Sequence, residues 1–182
     1  RFDRKVARSR LRHIQVTVIC KFINKPHKIQ VIMEKVNFQP QKMNTVNPYL
    51  MVESVQELID FTEKVYDAKL DYKLDRPNGK IMHAEISIGD SVIMAGEPMG
   101  DFKIFPCSLY IYVEDCDKIF EKAIEYGCQS IMEPTTMKHA GERYGGVKDS
   151  NGNVWWIATH IEDLTPDEQT KRIQEMKENW SE

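Results

Sequence analysis

The sequence predicts an α+β domain of two tandem β-α-β-β-β modules, which form one curved mixed sheet around a cleft and are followed by a C-terminal helix. A strand-like run followed by an amphipathic helix occurs twice, and the two copies start 61 residues apart. In both copies an Asn-Gly turn separates apolar strand-like runs, which is typical of a β-hairpin because both turn residues tolerate positive φ. A single module of this kind cannot bury its own sheet face, so we expect the two copies to share one sheet.

The first module is predicted over about residues 45–97. Its first strand starts at Tyr49, and the helix that follows repeats its apolar residues at the i, i+3, i+4, i+7 spacing of a buried face. This face consists of Leu58, Ile59, Thr62, Val65 and Tyr66. Three further strands are predicted at residues 69–76, 80–88 and 91–95, because turn residues bound each of these runs.

The second module repeats this order over about residues 106–161. Its first strand includes Tyr110, and Gly127 is well suited to end its helix because glycine adopts the left-handed conformation of a helix C-terminus at little cost. The apolar face of that helix is predicted to contain Ile119, Phe120, Ala123, Ile124 and Tyr126. The remaining strands are predicted at residues 128–138, 143–148 and 153–160.

A further helix is predicted over residues 166–179. Thr165 is a good N-cap, Pro166 suits the first helical position, and Glu168 completes a capping box with Thr165. A protein that binds a partner through this helix is therefore one possible function class.

Charged residues are distributed unevenly along the 182 residues. The chain has 25 Lys and Arg against 28 Asp and Glu, a net charge of −3 at pH 7. Residues 1–32 hold nine of the basic residues and one acid, which leaves 16 basic and 27 acidic residues, a net of −11, in residues 33–182. We therefore expect a single acidic domain over residues 33–182 that binds no nucleic acid, because phosphate binding needs clustered Lys and Arg.

Residues 1–32 form a basic N-terminal extension that we exclude from the functional interpretation. The segment starts without Met, and Met33 follows it directly. Three interpretations stay open: a vector-derived or upstream-translated sequence, an organelle-targeting segment, or a basic arm for an anionic partner. A short strand over residues 16–22 is compatible with each of them.

Neither a membrane-spanning segment nor a disulfide framework is expected. No apolar run approaches the ~20 residues of a membrane-spanning helix. The four cysteines are scattered without a CxxC spacing, and such a set is typical of reduced thiols in a reducing compartment. We therefore expect a cytoplasmic protein, unless residues 1–32 direct it to an organelle.

Several short motifs are similar to those of one known superfamily. They include MHAE at residues 82–85, IGDSVIM at 88–94, RYGGVKD at 143–149 and WWIATHIED at 155–163. Together with the duplicated module they resemble the glyoxalase/bleomycin-resistance/extradiol-dioxygenase superfamily, also called vicinal oxygen chelate, and its PhnB-like branch. The resemblance extends from residue 33 to about residue 176, and it implies the two-module fold described above.

The resemblance also implies where a metal would bind. Metalloenzymes of this superfamily take one ligand from the first strand and one from the fourth strand of each module. Aligned by hand, these positions fall on Asn47, Met94, Ser108 and Trp156. None of these supplies the carboxylate or imidazole that suits a divalent ion with open coordination positions. We therefore expect no metal and no other cofactor.

Strand alternation predicts which side chains line the cleft instead. In the first strands, Leu50, Val52, Ile111 and Val113 should face the helices, which turns the intervening residues toward the cleft. The candidate ligand-binding residues are Asn47, Tyr49, Met94, Ser108, Tyr110, Tyr112 and Trp156. A concave surface rich in aromatic rings suits a small organic ligand with some flat surface, although aromatic residues in sheets also serve as packing residues.

His83 and Glu85 are candidate acid–base residues. They lie two positions apart on one strand, so both face the cleft or both face solvent. A histidine oriented by a carboxylate is a typical general base near neutral pH, whereas two such polar residues also occur on a solvated sheet face. A metal site of His83, Glu85 and His160 stays open, although their spacing does not require it.

Two functions from different classes follow. The first is a protein without a metal that binds or sequesters a small hydrophobic or aromatic molecule in the cleft. The second is a glyoxalase-like lyase or isomerase that acts on a small oxygenated metabolite with His83 and Glu85 as acid and base. In both cases we expect a homodimer, because the edges of an eight-stranded sheet and the mouths of its cleft need covering.

Overall fold

The structure of the protein is a computed structural model that describes residues 14–18 and 31–179. The chain divides into two compact units, and the boundary in sequence falls between Thr45 and Val46. The first unit contains strand β1, Ile14–Val18, which pairs in antiparallel fashion with β2, Val31–Lys35. Strand β1 overlaps the predicted strand, whose residues 19–22 lie outside the described residues. Strand β2 crosses the predicted boundary between residues 32 and 33.

The second unit contains the two predicted modules. The first module consists of β3 Tyr49–Met51, α1 Val55–Tyr66, β4 Lys69–Asp75, β5 Ile81–Ile88 and β6 Ser91–Gly96. The second module consists of β7 Ser108–Tyr112, α2 Cys116–Tyr126, β8 Gln129–Met137, β9 Glu142–Lys148 and β10 Val154–His160. Helix α3, Pro166–Asn179, follows. The predicted β-α-β-β-β duplication and the C-terminal helix are confirmed.

The eight strands of the modules form two four-stranded sheets. Their orders are β3-β6-β5-β4 and β7-β10-β9-β8, so equivalent strands occupy equivalent places. In each sheet the first and last strands of the module pair in parallel, and the other pairs are antiparallel. The single hydrogen-bonded sheet that we expected is therefore divided in two. One reason is that the Phe105 amide, from the linker between the modules, donates to the Met51 carbonyl on β3 at 3.0 Å.

Local capping explains where the helices begin and end. The Ser54 hydroxyl accepts from the Glu57 amide at the start of α1, and the Asp115 carboxylate accepts from the Lys118 amide at the start of α2. Gly127 ends α2 with φ 109°, a conformation that costs a residue with a Cβ considerably more. These features were all readable as local sequence signals.

Helix α3 begins with the predicted capping box. The Thr165 amide donates to the Glu168 carboxylate at 3.0 Å, and the Glu168 amide donates back to the Thr165 hydroxyl at 3.3 Å. None of the described helices combines the length and the apolar character needed to cross a bilayer.

The two modules share contacts beyond the linker. The side chain of Asn151, in the β9–β10 turn, accepts from the Ser54 amide at 3.1 Å and donates to the Ser54 carbonyl at 3.2 Å. The neighbouring Ser150 hydroxyl donates to the Glu57 carboxylate at 3.0 Å. The turn of the second module thus binds the N-terminus of the helix of the first.

The helices bury different amounts of their predicted faces. All five residues predicted for α1 are buried, and Phe61 joins them. In α2 the buried stripe is Cys116, Phe120 and Ala123. Ile124 and Tyr126 are exposed, and their predicted burial is wrong. The reason is that Cys116, Phe120 and Ala123, at i, i+4 and i+7, already cover the sheet. Ile124 lies beside this stripe and faces solvent.

Trp155 on β10 is at the centre of the core, with no exposed surface. Its ring lies 5.3 Å from those of Phe61 and Tyr66, both on α1, so it packs the second module against the helix of the first. Its indole N–H donates to the Asp149 carboxylate at 2.9 Å. The same carboxylate accepts from the backbone amide and the side-chain amide of Asn153, each at 2.8 Å. Burial of the indole thus depends on one buried acceptor.

We expect Asp149→Asn to lower the free energy of unfolding by about 3 kcal/mol, because an amide cannot accept all three hydrogen bonds and leaves buried donors unpaired. Urea unfolding at neutral pH measures this loss. Asp90→Asn is the matched control, since Asp90 is exposed in the β5–β6 turn, and it should change the value by less than ~0.5 kcal/mol. Equal stabilities of the two variants would contradict the role of Asp149.

Candidate functional site

Each sheet has one face covered by its helix and one face that we call the open face. On the open face of the first sheet, the register aligns Tyr49, Met94, Glu85 and Tyr72 in one row across four strands. The residues between them, such as Leu50 and Ala95, point into the core and have no exposed surface. The predicted alternation therefore holds in this module as an alternation between the core and the open face.

Tyr49, His83 and Glu85 form a connected group on this open face. The Tyr49 hydroxyl lies 3.3 Å from His83 Nδ1, and His83 Nε2 lies 3.4 Å from a Glu85 carboxylate oxygen. The rings of Tyr49 and His83 are stacked, with centroids 5.7 Å apart. The Tyr49 hydroxyl occupies space above Gly96, where a Cβ would lie 2.9 Å from it. Glycine at position 96 thus gives the phenol room to reach the imidazole.

The open face of the second sheet contains the other predicted residues. Trp156 is paired with Tyr110 on one side and Gly146 on the other. Its indole N–H donates to the Ser108 hydroxyl at 3.0 Å. A Cβ on Gly146 would lie 2.7 Å from the indole ring, so the ring lies flat over this glycine. Trp155 and Trp156 thus have opposite environments, one in the core and one on the open face.

Two tyrosines of β7 bind one carboxylate of β9. The Tyr110 and Tyr112 hydroxyls donate to the two oxygens of Glu142, at 2.7 and 2.6 Å. Burial, together with this hydrogen bond, raises the pKa of Tyr110 well above its ordinary value, and the hydrogen bond to Glu142 raises the pKa of Tyr112. Both phenols therefore stay neutral at physiological pH with their hydroxyls directed at Glu142.

Tyr144 connects these tyrosines with Trp156. Its ring centroid lies 5.8 Å from that of Tyr110 and 6.1 Å from that of Trp156, and the rings meet edge to face. Tyr110 and Tyr112 meet in the same way at 5.4 Å. Four aromatic rings and one carboxylate therefore form a continuous group, which we call the tyrosine–tryptophan platform (Tyr110, Tyr112, Glu142, Tyr144 and Trp156).

Sequence reasoning found some of these residues and missed others. The structure brings Tyr49 together with His83 and Glu85 on one sheet, and Tyr110, Tyr112 and Ser108 together with Trp156 on the other. Asn47 precedes β3 and is partly buried. The residues missed are Tyr72, Glu142 and Tyr144. The alternation of β9, in which Glu142, Tyr144 and Gly146 share one face, contained the signal for the last two.

The four positions that the resemblance assigns to metal ligands carry neither a carboxylate nor an imidazole. The Trp156 indole N–H is a donor and already binds the Ser108 hydroxyl. The Met94 thioether is a soft ligand that does not suit a hard cation, and the Asn47 amide offers one neutral oxygen. His160 pairs with Asp163 at 2.9 Å rather than with His83 or Glu85. Among the described residues, no three His, Cys, Asp or Glu side chains are grouped as metal ligands.

Two sheets of the same strand order, each with a helix behind it and an open face in front, define a class of paired β-α-β-β-β proteins. The chain belongs to the glyoxalase/bleomycin resistance protein/dioxygenase superfamily, whose family model matches residues 42–157. The predicted superfamily membership is confirmed.

Similar proteins come from mycobacteria. The chain is 26% identical over 157 residues to the uncharacterized protein Rv0887c of Mycobacterium tuberculosis. This alignment covers 80% of this chain and 89% of that protein. It is 26% identical over 144 residues to Mb0911c of Mycobacterium bovis, covering 73% of this chain and 91% of that protein. Both similarities extend over most of the chain.

Similar solved structures share the fold. TioX from Micromonospora sp. ML1 has a TM-score of 0.54 at 18% identity, covering 64% of this chain and 99% of TioX. A PhnB protein from Bacillus cereus has a TM-score of 0.53 at 15% identity, covering 64% and 99%. A glyoxalase I mutant from Zea mays has a TM-score of 0.53 at 18% identity, covering 64% of this chain and 44% of that one. These identities support the fold alone.

The tyrosine–glutamate contacts predict a pH effect. Glu142→Gln should lower the pKa of Tyr112 and Tyr110 toward the ordinary value of about 10, because the charge that opposes phenolate formation is removed. Because the pKa is raised in the folded state, the associated stability is fully present below about pH 10 and is lost as the pH rises through the folded-state pKa. Wild type should therefore lose stability more steeply above pH 10 than the variant.

Tyrosinate absorbance near 295 nm, followed against pH on folded protein, measures the pKa change. Glu133→Gln is the matched control, since it removes the same charge from an exposed position on β8. Indistinguishable titration curves for Glu142→Gln and wild type would show that the two hydrogen bonds do not form in solution.

Proposed function

We propose that this protein binds a small, largely apolar or aromatic molecule on its open faces, and that it does so without the metal of the superfamily. The observation that supports this most strongly is the exposure of ordered aromatic rings on the open face of the second sheet. Tyr110 is 45% and Tyr112 61% exposed, whereas Trp155 on the paired strand is fully buried. Rings held in place yet left open to solvent offer flat contact surface at a small entropic cost.

The ordering of these rings distinguishes them from incidental surface residues. The Tyr110 and Tyr112 hydroxyls bind Glu142, and the Trp156 indole N–H binds Ser108. A ligand that covered the ring faces would therefore displace water from apolar surface without breaking protein hydrogen bonds. Apolar surface with a few fixed polar groups is typical of small-molecule sites.

The adjacent residues Trp155 and Trp156 give a matched pair for testing this. Trp156→Ala should lose the response to a neutral aromatic probe, 2-naphthol, and only ~1 kcal/mol of stability, because part of the ring packs on no protein atoms. Trp155→Ala should lose about 3–5 kcal/mol, as buried aromatic residues do. Urea unfolding measures both.

Binding is followed in ¹H–¹⁵N spectra through the indole N–H signals. The Trp156 signal should shift with 2-naphthol, while the Trp155 signal, from the core, should stay fixed and serve as an internal control. Gross unfolding of Trp156→Ala, or a 2-naphthol titration that moves neither signal, would argue against a ligand site on this face.

A second candidate function is a lyase or isomerase, favoured by the Tyr49–His83–Glu85 group. A histidine with a phenol on one nitrogen and a carboxylate on the other is arranged for proton transfer. An exchange experiment in D₂O separates the enzyme from the binding protein. NMR follows the incorporation of deuterium at the carbon atoms next to the carbonyl of small hydroxyketones. Exchange that is catalysed by wild type and abolished in His83→Ala would favour the enzyme. Equal exchange with and without protein would favour a binding protein.

We also propose that the protein forms a homodimer. The linker between the modules carries exposed apolar side chains, among them Phe102 (66%) and Phe105 (73%). Exposed apolar clusters of this kind mark association surfaces, and a symmetric pair is the commonest way to cover them.

Sedimentation velocity at micromolar concentration should give the mass of two chains for wild type. Phe102→Asp should shift it to one chain, whereas Ile161→Asp, at an exposed position outside the linker, should not.

A cytoplasmic location is our proposal for where this function is exercised. The cysteines that the structure describes, Cys107, Cys116 and Cys128, are free thiols. Burial raises the pKa of Cys128 to about 11, so this thiol stays protonated and unreactive at neutral pH. Unpaired, unreactive thiols are what a reducing compartment favours.

A further inference from the structure

We propose that the tyrosine–tryptophan platform recognises an organic cation, an ammonium group with apolar substituents. This inference rests on the proposed function and specifies the class of its ligand. A cation over the face of an aromatic ring is attracted by the ring quadrupole, and the attraction increases when both are removed from water. Neighbouring rings of the platform are inclined to each other by 60° to 84°. A compact cation placed between two of them can therefore contact both rings at once.

The carboxylate of Glu142 supplies the charge complement. In the described part of the chain it takes part in no salt bridge, and its two oxygens accept from Tyr110 and Tyr112. The next residue, Arg143, points to the other face of the sheet and binds Asp117 through two hydrogen bonds of 2.6 Å. The negative charge on the open face is therefore not neutralised by its neighbour in sequence.

The two hydrogen bonds also prepare the rings for a cation. A phenol that donates to a carboxylate gains electron density in its ring, which strengthens the attraction for positive charge. Because both hydroxyls are directed at Glu142, the tyrosines offer ring faces rather than hydroxyl groups to a ligand. An anionic ligand would instead be repelled by the carboxylate.

The chemistry of the platform disfavours a metal ion as occupant. A metal would need several ligating groups, and in the described residues no three His, Cys, Asp or Glu side chains are grouped for one. One carboxylate beside several aromatic rings matches an alkylated ammonium, which needs charge balance and apolar contact but no coordination bonds. The proposal therefore commits to a small alkylammonium group as the recognised feature.

Choline and its neutral carbon isostere, 3,3-dimethylbutan-1-ol, test this directly, because they differ in charge and share a head of nine equivalent methyl protons. Saturation transfer from aromatic protein protons to those methyl protons, together with the Trp156 indole signal, gives the Kd of each probe at constant ionic strength. We expect choline to bind at least ~10-fold more tightly than the isostere to wild type, because the aromatic rings and the Glu142 carboxylate both attract its positive charge.

Glu142→Gln should reduce this preference below about threefold, because the attraction of the carboxylate is lost and only that of the rings remains. Glu133→Gln makes the same charge change outside the platform and should retain the full preference. Tyr112→Phe keeps the ring and removes one hydrogen bond, so it should retain most of it. An unchanged Trp155 indole signal confirms that each variant is folded.

Three outcomes separate the inferences. A choline preference that Glu142→Gln removes and Glu133→Gln retains supports the proposal. Equal Kd values of the two probes for wild type, or a preference that survives Glu142→Gln, would overturn it, and the proposed function would stand if 2-naphthol still shifted the Trp156 signal. If neither the two probes nor 2-naphthol moves that signal, both inferences fail.

Discussion

Burial of one indole ring fixes the geometry of the second module. Trp155 has no exposed surface, and its N–H must bind Asp149 because a buried donor without a partner is costly. Side chains of a strand alternate between two faces, so inward Trp155 forces Trp156 outward. Pairing transmits this choice to the neighbouring strands, since residues opposite each other share a face. The open face of Tyr110, Tyr112, Glu142 and Tyr144 is thus a consequence of the core on the other side.

The first module obeys the same constraint with smaller residues. Ala84, Ala95 and Leu50 occupy the core positions beneath α1 and have no exposed surface. Small side chains allow close approach of the helix, and their alternation partners His83, Met94 and Tyr49 are turned to the open face. A one-residue slip would bury a histidine and a carboxylate at a large desolvation cost, which is why the register is strongly specified.

Much of the fold could be predicted from local signals, and part of the site could not. The duplication, the helix caps and the strand parity are properties of short segments, and they determined which face Tyr49, Tyr110 and Trp156 occupy. The contact of Tyr110 with Glu142 is different, because the two residues are not paired across the strands. Tyr110 is level with Gly146 on β9, and its hydroxyl reaches Glu142 only because its side chain is long and inclined along the sheet. The division into two sheets depends on where the linker places Phe105, and no local pattern specifies that position. Gly96 and Gly146 were likewise unrecognisable as sites over which rings lie.

The side-chain contacts between Asn151 and Ser54 have an evolutionary consequence. In two independent copies of a module, each helix start would be bound only by residues of its own copy. Here a turn of the later copy binds the helix start of the earlier one, and Trp155 of the later copy fills the core against that helix. Neither half could therefore be exchanged for a foreign copy without exposing backbone donors and an aromatic cluster. The two modules are therefore inherited as one unit, while substitutions on the open faces leave these contacts intact.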